Sequence, residues 1–332
     1  MSYRYRIATV FGGSGFIGRH LIRRLAKAGY IVRIAARRPH QANFLKTAGA
    51  VGQIVPWAVD VRDDASVARA VKDADVVVNL IGALYETAPW SFETVHVNAP
   101  ARIARLAKEA GAERLVHVSA LGADANSDSA YARSKAAGDK AVLAAFPGAT
   151  ILRPSIVFGP EDRFFNKFAA MAQVSPVLPL VGGGKTRFQP VCVSDLADAI
   201  VAVIERDDAK GRVFELGGPN TYTFKELMQL MLTVIERPNR LLLPIPWRLS
   251  ETLGGILEKV PFVAPLLTRD QVELLKKDNV CAGREPGFEQ LGITPVAPEV
   301  ILPTYLFRFI VGGRSTTLTR DVGKHESYGS QR

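Results

Sequence analysis

Ile7-Ala8-Thr9-Val10-Phe11-Gly12-Gly13-Ser14-Gly15-Phe16-Ile17-Gly18-Arg19-His20-Leu21-Ile22 is the stretch that decides the fold. A short apolar run breaks at clustered glycines and resumes with helical spacing, placing Ile17, Leu21, Leu25 and Ala28 on one face, with Gly29 as the stop. The reading is strand, tight turn, helix. Glycine is needed at such a turn when the backbone must approach a pyrophosphate, whose negative charge then meets the first free N–H groups of the helix. A glycine triad alone is weak, because glycines also cluster in ordinary turns. Directly after a strand and at the opening of a helix it carries more weight. Dinucleotide binding is the expectation, with Gly12, Gly13, Ser14, Gly15, Phe16, Ile17, Gly18 and Arg19 at the phosphate end.

Outward from this turn, Tyr30-Ile31-Val32-Arg33-Ile34-Ala35 reads as a second strand that ends in Ala36-Arg37-Arg38-Pro39. NAD binders place a carboxylate at this strand end for the ribose hydroxyls, and counting from Gly29 that position is Ala36. A small neutral residue with Arg37, Arg38 and Arg19 nearby leaves a positive pocket suited to the 2'-phosphate of NADP, because guanidinium groups fork onto phosphate oxygens. The plainer alternative is a solvated basic surface. Residues 55–59 read as a third strand running into Asp60-Val61-Arg62-Asp63, and residues 66–71 as a helix. Asp60 is by default a turn former or cap, and in this setting a partner for the adenine amino group. Val76-Val77-Val78-Asn79-Leu80-Ile81-Gly82 is a fourth strand, apolar except for Asn79, ending beside the cofactor position. A helix from Pro100 through Leu106 stops at Gly111, and Arg114-Leu115-Val116-His117-Val118-Ser119 is the fifth strand. This alternation predicts an α/β fold, a Rossmann-like doubly wound parallel sheet with ligands at the carboxyl ends of its strands.

Ser119 and the run Tyr131-Ala132-Arg133-Ser134-Lys135 are the candidates for chemistry. Tyr131 and Lys135 lie one helical turn apart and share a face. An ammonium beside a phenol favours the phenolate, lowering the phenol's pKa so that it passes a proton near neutral pH. On an exposed helix such a pair is ordinarily surface. After the fifth strand of a nucleotide-binding sheet it marks a site.

Composition sets the bounds. A chain of 332 residues suits one large domain with an appendage or two domains, and 48% apolar with 22% charged residues is ordinary for a globular protein. No run of eighteen apolar residues occurs, so no spanning helix is expected, and a first strand near Met1 leaves no room for a signal peptide. Cys192 and Cys281 lie far apart without Cys or His companions, which argues against a metal site or a disulfide framework and for a reducing compartment. The net charge of +10 calls for an anionic partner, but the basic residues are spread thinly without interleaved aromatics, so nucleic acid is disfavoured. His20 and His117 read as structural.

Together these residues resemble the extended or atypical short-chain dehydrogenase/reductase superfamily. The match comprises the glycine turn, Asp60-Val61, Val97-Asn98, Ser119, Tyr131 with Lys135, Leu152-Arg153-Pro154 leading to Phe158-Gly159-Pro160, and Val193-Ser194-Asp195-Leu196-Ala197. The resemblance implies that Tyr131 is the proton donor, with Ser119 beside it, and that Lys135 holds the nicotinamide ribose. It also implies that Asn79 and Asn98 order the site, and that Ile81, Gly82 and Pro154 border the cofactor. Two positions depart from the pattern: Phe11 stands where the superfamily usually has Thr, and Leu121 where many extended members carry the catalytic hydroxyl.

A narrower resemblance rests on residues 158–169, Gln189-Pro190-Val191, Leu267-Thr268-Arg269-Asp270-Gln271-Val272 and Gly287-Phe288-Glu289-Gln290-Leu291-Gly292-Ile293. These resemble the family of NADPH-binding accessory subunits of respiratory complex I. That implies a non-catalytic role, in which bound NADPH stabilises a Rossmann-like subunit docked among other subunits of the complex. The place implied is peripheral, near lipid head groups on the cytoplasmic side of a bacterial inner membrane, or on the matrix side if mitochondrial. A free-standing NADP-dependent reductase or sugar-nucleotide epimerase, and an NADPH-sensing regulator, are the alternatives.

The expected organisation is a dinucleotide-binding domain over residues 1–150 and a smaller C-terminal α/β domain over 151–311, whose segments near 151–160 and 187–200 pack back on the sheet. A polar tail over 312–332 is expected to be flexible. Residues 223–235 read as an amphipathic helix with Phe224, Leu227, Met228, Met231 and Ile235 inward. Residues 241–247 and 253–267, apolar but broken by prolines and glycines, are expected mostly to complete the smaller core, with Trp247 and Arg248 at an interface.

Overall fold

The strand, turn and helix at the start of the chain seed a seven-stranded parallel sheet. The computed structural model describes residues 6–258 and 267–313. In chain order the elements are β1 (Ile7–Phe11), α1 (Phe16–Lys27), β2 (Ile31–Ala36), β3 (Ile54–Ala58), α2 (Asp64–Val71), β4 (Val76–Asn79), α3 (Ala99–Glu109), β5 (Arg114–Val118), α4 (Ala130–Ala145) and β6 (Thr150–Pro154). There follow β7 (Val157–Phe158), α5 (Phe165–Val174), β8 (Val177–Val181), β9 (Arg187–Phe188), β10 (Val191–Cys192), α6 (Val193–Glu205) and β11 (Val213–Leu216). The last are β12 (Tyr222–Thr223), α7 (Phe224–Val234), β13 (Leu241–Ile245), α8 (Trp247–Leu257), α9 (Arg269–Leu275) and α10 (Pro298–Leu306).

The sheet runs β11-β6-β5-β4-β1-β2-β3, every pair parallel. Strand order therefore reverses at β1, where a crevice opens at the carboxyl ends. Its last two strands, in chain order, run from residue 150 onward, so the sheet is completed largely by chain expected to belong to the smaller domain.

Strand side chains alternate between faces, and both faces are buried, which is why the strands read as continuous apolar runs. Val10, Val76, Val78, Val116 and Leu152 pack under α1 and α6. Phe11, Val77, Leu115 and Ile151 pack under α2, α3 and α4. The α1 stripe consists of Leu21, Ile22, Leu25 and Ala26 with Gly18. Ala28, expected on that face, is exposed because the helix ends at Lys27 and Ala28 is its cap.

A third core joins α5, α7, α10 and β8 through Phe165, Phe188, Phe224, Met228, Met231, Leu302 and Leu306. All five residues expected on the inner face of α7 are buried, and Thr223 and Glu226 close a reciprocal cap at its start. Within this core Tyr305 Oη donates to Asp162 Oδ2 at 2.5 Å, and that carboxylate also accepts from the Gly159 and Asn166 amides at 3.1 Å. A buried carboxylate is tolerated there because it is fully partnered.

The stretch 241–247 departs from expectation. β13 pairs in parallel with β8 at the edge of a two-stranded sheet, and Leu241 and Leu243 remain exposed, as do Leu249 and Leu253 of α8. An edge strand covered on one side cannot bury both sets of its alternating side chains. Trp247 instead lies on Gly182, where an added Cβ would fall 2.1 Å from the indole. Residues 259–266 and most of the expected tail, 314–332, lie outside the described residues.

Candidate functional site

The glycine turn is built for close approach. Gly12 adopts φ +76°, a left-handed conformation that side chains resist, and a Cβ there would lie 3.2 Å from the Leu80 carbonyl carbon. A Cβ on Gly18 would sit 2.5 Å from Gly13 Cα, so α1 rests directly on the turn. Gly15 is exposed and caps α1 with no side-chain acceptor, and no acid lies in the first turn. The positive end of the helix is thus left for an anion, and a turn that a single Cβ would fill fits a pyrophosphate.

Arg37 and Arg38 are exposed just past β2. Arg19, expected with them, leans elsewhere: its Nη1 lies 3.3 Å from Glu161 and its guanidinium 5.1 Å from the Phe44 ring. Asp60 does not offer a free carboxylate. Arg62 takes it through Nη2 at 2.7 Å, Nε at 3.0 Å and the backbone N–H at 2.9 Å. These bonds hold the Asp60 carboxyl down at about 2. Val61 is buried beside it, its carbonyl accepting from Arg102.

Across the crevice, Asn79 is buried and terminates β4. Its Oδ1 accepts from the Ile81 amide at 3.1 Å and its Nδ2 donates to His117 Nδ1 at 3.0 Å. The fourth strand therefore stops at Asn79 and leaves Ile81 and Gly82 as a turn at the crevice. An added Cβ on Gly82 would lie 3.8 Å from Lys135 Nζ and 4.0 Å from His96 Nε2. Pro154 is the buried last residue of β6.

Asn98 is not brought to this group. Residues Glu93–Asn98 form a π-helical turn before α3, and the wider turn sends His96 inward. Asn98 is exposed and lines an outer-face cavity of about 570 Å³ with Arg62, Asp64 and Arg102. Sequence reasoning missed His96, since nothing in a pattern of residue types marks a π-turn. Its Nε2 accepts from the Ala83 amide at 3.1 Å and its Nδ1 donates to Ser134 Oγ at 2.8 Å, a pattern that assigns the proton to Nδ1. Burial and then the Lys135 charge push His96 down to about 3, so the ring is neutral. It stacks on Phe92 at 5.2 Å and meets the Tyr131 ring edge-on at 5.2 Å.

Tyr131 and Lys135 do share a face of α4, but their relation differs from the expected one. Lys135 is buried and donates to the Val118 carbonyl at 3.3 Å, beneath the sheet end. Burial pushes its ammonium down to about 8, with Asp139 opposing. The Tyr131 phenol is raised rather than lowered: burial disfavours the phenolate first, then the negative charges of Asp139 and Asp270. Lys135 thus makes its hydrogen bond to the end of β5 while its Nζ stays within reach of the Gly82 turn.

Asp270 was legible only as part of a resemblance. From α9 it accepts from Ser129 Oγ at 2.8 Å and from the Ala130 and Tyr131 amides at 2.6 and 3.1 Å, seating the start of the Tyr131 helix. Ser119, Asp139 and His117 form a buried group behind Lys135. Arg153 holds Asp139 at 2.8 Å, while burial raises that carboxyl. Ser119 Oγ makes no hydrogen bond, though it lies near enough to Asp139 to oppose that rise.

The sequence profile of the NAD dependent epimerase/dehydratase family matches residues 8–217. NADH dehydrogenase [ubiquinone] 1 alpha subcomplex subunit 9, mitochondrial, of Arabidopsis thaliana is 38% identical over 92% of this chain and 79% of its own length. The Rattus norvegicus protein of the same name is 40% identical over 89% and 78%. A ceramide reductase of Caulobacter vibrioides is 33% identical over 76% and 77%. Among solved structures, a dTDP-glucose 4,6-dehydratase of Streptomyces venezuelae with NAD bound superposes with a TM-score of 0.71 at 21% identity, over 93% of this chain and 98% of that one. That likeness is one of fold. The glycine turn, the reversal of strand order and the sequence relationships agree, and the chain belongs to the NAD dependent epimerase/dehydratase family, in the group of the NADH dehydrogenase [ubiquinone] 1 alpha subcomplex subunit 9 proteins.

Proposed function

We propose that this chain is a non-catalytic, NADPH-holding accessory subunit of a proton-pumping NADH:quinone oxidoreductase. It stabilises or helps assemble the peripheral arm near the membrane, on the cytoplasmic face in a bacterium. The observation that carries the reading is 38% identity running through 92% of the chain to a protein named for that enzyme. The site is in keeping with it. The phosphate turn is complete, and Leu121 stands where many extended members of the superfamily carry the catalytic hydroxyl. When bound, the cofactor supplies hydride chemistry in catalytic relatives. Here Gly12 to Gly18, Tyr131 and Lys135 serve to hold it, and a ligand that binds only the folded chain stabilises that chain without reacting.

A tagged copy in mildly solubilised membranes is expected to co-purify with the other subunits of the complex and to release NADPH on denaturation, read by mass spectrometry and chromatography. A partnerless chain that consumes NADPH with a carbonyl compound would overturn the reading in favour of a free-standing reductase. The kinship to a ceramide reductase and the shared face of Tyr131 and Lys135 favour that second reading.

NADPH is chosen over NADH because Ala36 stands where the ribose carboxylate would be, with Arg37 and Arg38 beside it. Arg37→Asp is expected to weaken NADPH binding at least about tenfold, the size of a lost charge-assisted contact, and to leave NADH binding within about twofold. Equal loss of both in a titration would remove the 2'-phosphate assignment.

A further inference from the structure

Arg37 is not held as a free surface side chain. Its guanidinium lies 4.5 Å from the centre of the Trp90 ring, and a second guanidinium, that of Arg62, lies 4.7 Å from the same ring. Two like charges drawn to one indole repel unless something negative stands by. Here it is Asp60, whose carboxylate Arg62 grips in a fork. The group as a whole keeps one net positive charge, and a phosphate dianion would complete it.

The topology explains how Trp90 comes to be there. It belongs to the segment after β4, yet its ring meets side chains that follow β2 and β3. β1 stands between β4 and β2, so the segment runs past the carboxyl end of β1, beside the glycine turn. The segment is pinned on both sides of the tryptophan. Thr87 and Trp90 exchange backbone hydrogen bonds, and the Phe92 amide donates to Glu86 Oε1 at 2.6 Å. Trp90 itself is half-buried against the core under α2 and α3. Its face is therefore fixed, and the exposed arginines it gathers include Arg37, the residue next after β2, where a Rossmann fold places the adenosine ribose.

We infer that Trp90 and Arg62 determine selectivity for a phosphorylated ribose. Trp90 is a positioning residue that holds Arg37 by a cation–π contact, and Arg62 is the second guanidinium on the 2'-phosphate. Asp60 acts here through Arg62, whose guanidinium it holds. The inference rests on the NADPH reading above and adds residues that a glycine motif and a strand-end arginine do not identify.

The test uses the full chain and two nicotinamide-free probes that differ only in the 2'-phosphate, 2',5'-ADP and 5'-AMP. In a Trp57→Phe/Trp247→Phe chain, Trp90 is the sole remaining tryptophan of three, and 2',5'-ADP is expected to change its fluorescence. In the otherwise wild-type chain, Trp90→Leu and Arg62→Gln are each expected to weaken 2',5'-ADP about tenfold while 5'-AMP moves less than about twofold. Trp90→Phe, which keeps an aromatic face, restores most of the preference. A general loosening of the loop would weaken both probes alike, and that result overturns the inference, as does unchanged binding of 2',5'-ADP in both variants. A wild-type chain that holds the two probes equally would instead remove the NADPH reading itself, and this inference with it.

Discussion

Gly138→Ala is expected to lower the melting temperature by roughly 5–10 °C and to abolish nucleotide retention, although residue 138 touches no part of the glycine turn. A Cβ at this position of α4 would lie 2.0 Å from the His96 carbonyl oxygen and 3.1 Å from its carbon. Both are backbone atoms of the π-helical turn and cannot swing aside. The helix must back away, at an overpacking cost of about 3 kcal/mol. Tyr131, Lys135 and Ser134 ride on that helix, and His96 is bonded to Ser134, so the movement dismantles the nicotinamide end of the crevice. Gly148→Ala is the matched control: its Cβ would meet only the Phe146 ring, at 3.5 Å, an ordinary contact. Equal melting temperatures for the two variants would refute the account.

Lys135→Met is expected to do the reverse to stability. In nucleotide-free protein at pH 7 it should stabilise the fold by about 2 kcal/mol, while nucleotide binding falls sharply. The native state lowers the ammonium from 10.5 to about 8 through burial. A lowered lysine pKa means that folding works against the charged form. The penalty is fully present below about pH 8 and disappears as pH rises to 10.5, where the unfolded chain also loses its proton. A shift of this size corresponds to about 3 kcal/mol, of which the lost hydrogen bond to Val118 returns about 1. Denaturant titrations of both chains should show the advantage of Met at pH 7 and its decay between pH 8 and 10. A less stable Met variant at pH 7 would mean that the ammonium is a net support of the fold. A more stable Met variant at pH 7 would mark Lys135 as a group kept for a ligand at the expense of stability.

Much of the site was legible because its causes are local. The glycine turn is written in consecutive residues, and φ +76° at Gly12 and the contact of Gly18 with Gly13 follow from the strand and helix on either side. The inner face of α7 and the alternating burial of Val76, Val77 and Val78 follow from fixed periods of 3.6 and 2. Where side chains from distant segments compete, the pattern is silent. Arg19 is drawn off by Glu161, 142 positions later. A π-turn moves the inward position from Asn98 to His96 without altering the composition.

The sequence by itself determined the parallel sheet, the glycine turn that a pyrophosphate fits, and the run of alanine and arginines at the end of β2. Each depends on backbone reach or on a charge next to its strand end. Tertiary structure alone decided which way the side chains of the chemistry point. Lys135 is turned to the Val118 carbonyl, Asp270 is carried to the start of α4, and Trp90 is laid beside Arg37 and Arg62. Those outcomes depend on burial and on contacts across up to 141 positions of chain. A pKa or a hydrogen bond is a property of the whole surroundings, which no local run of residues contains.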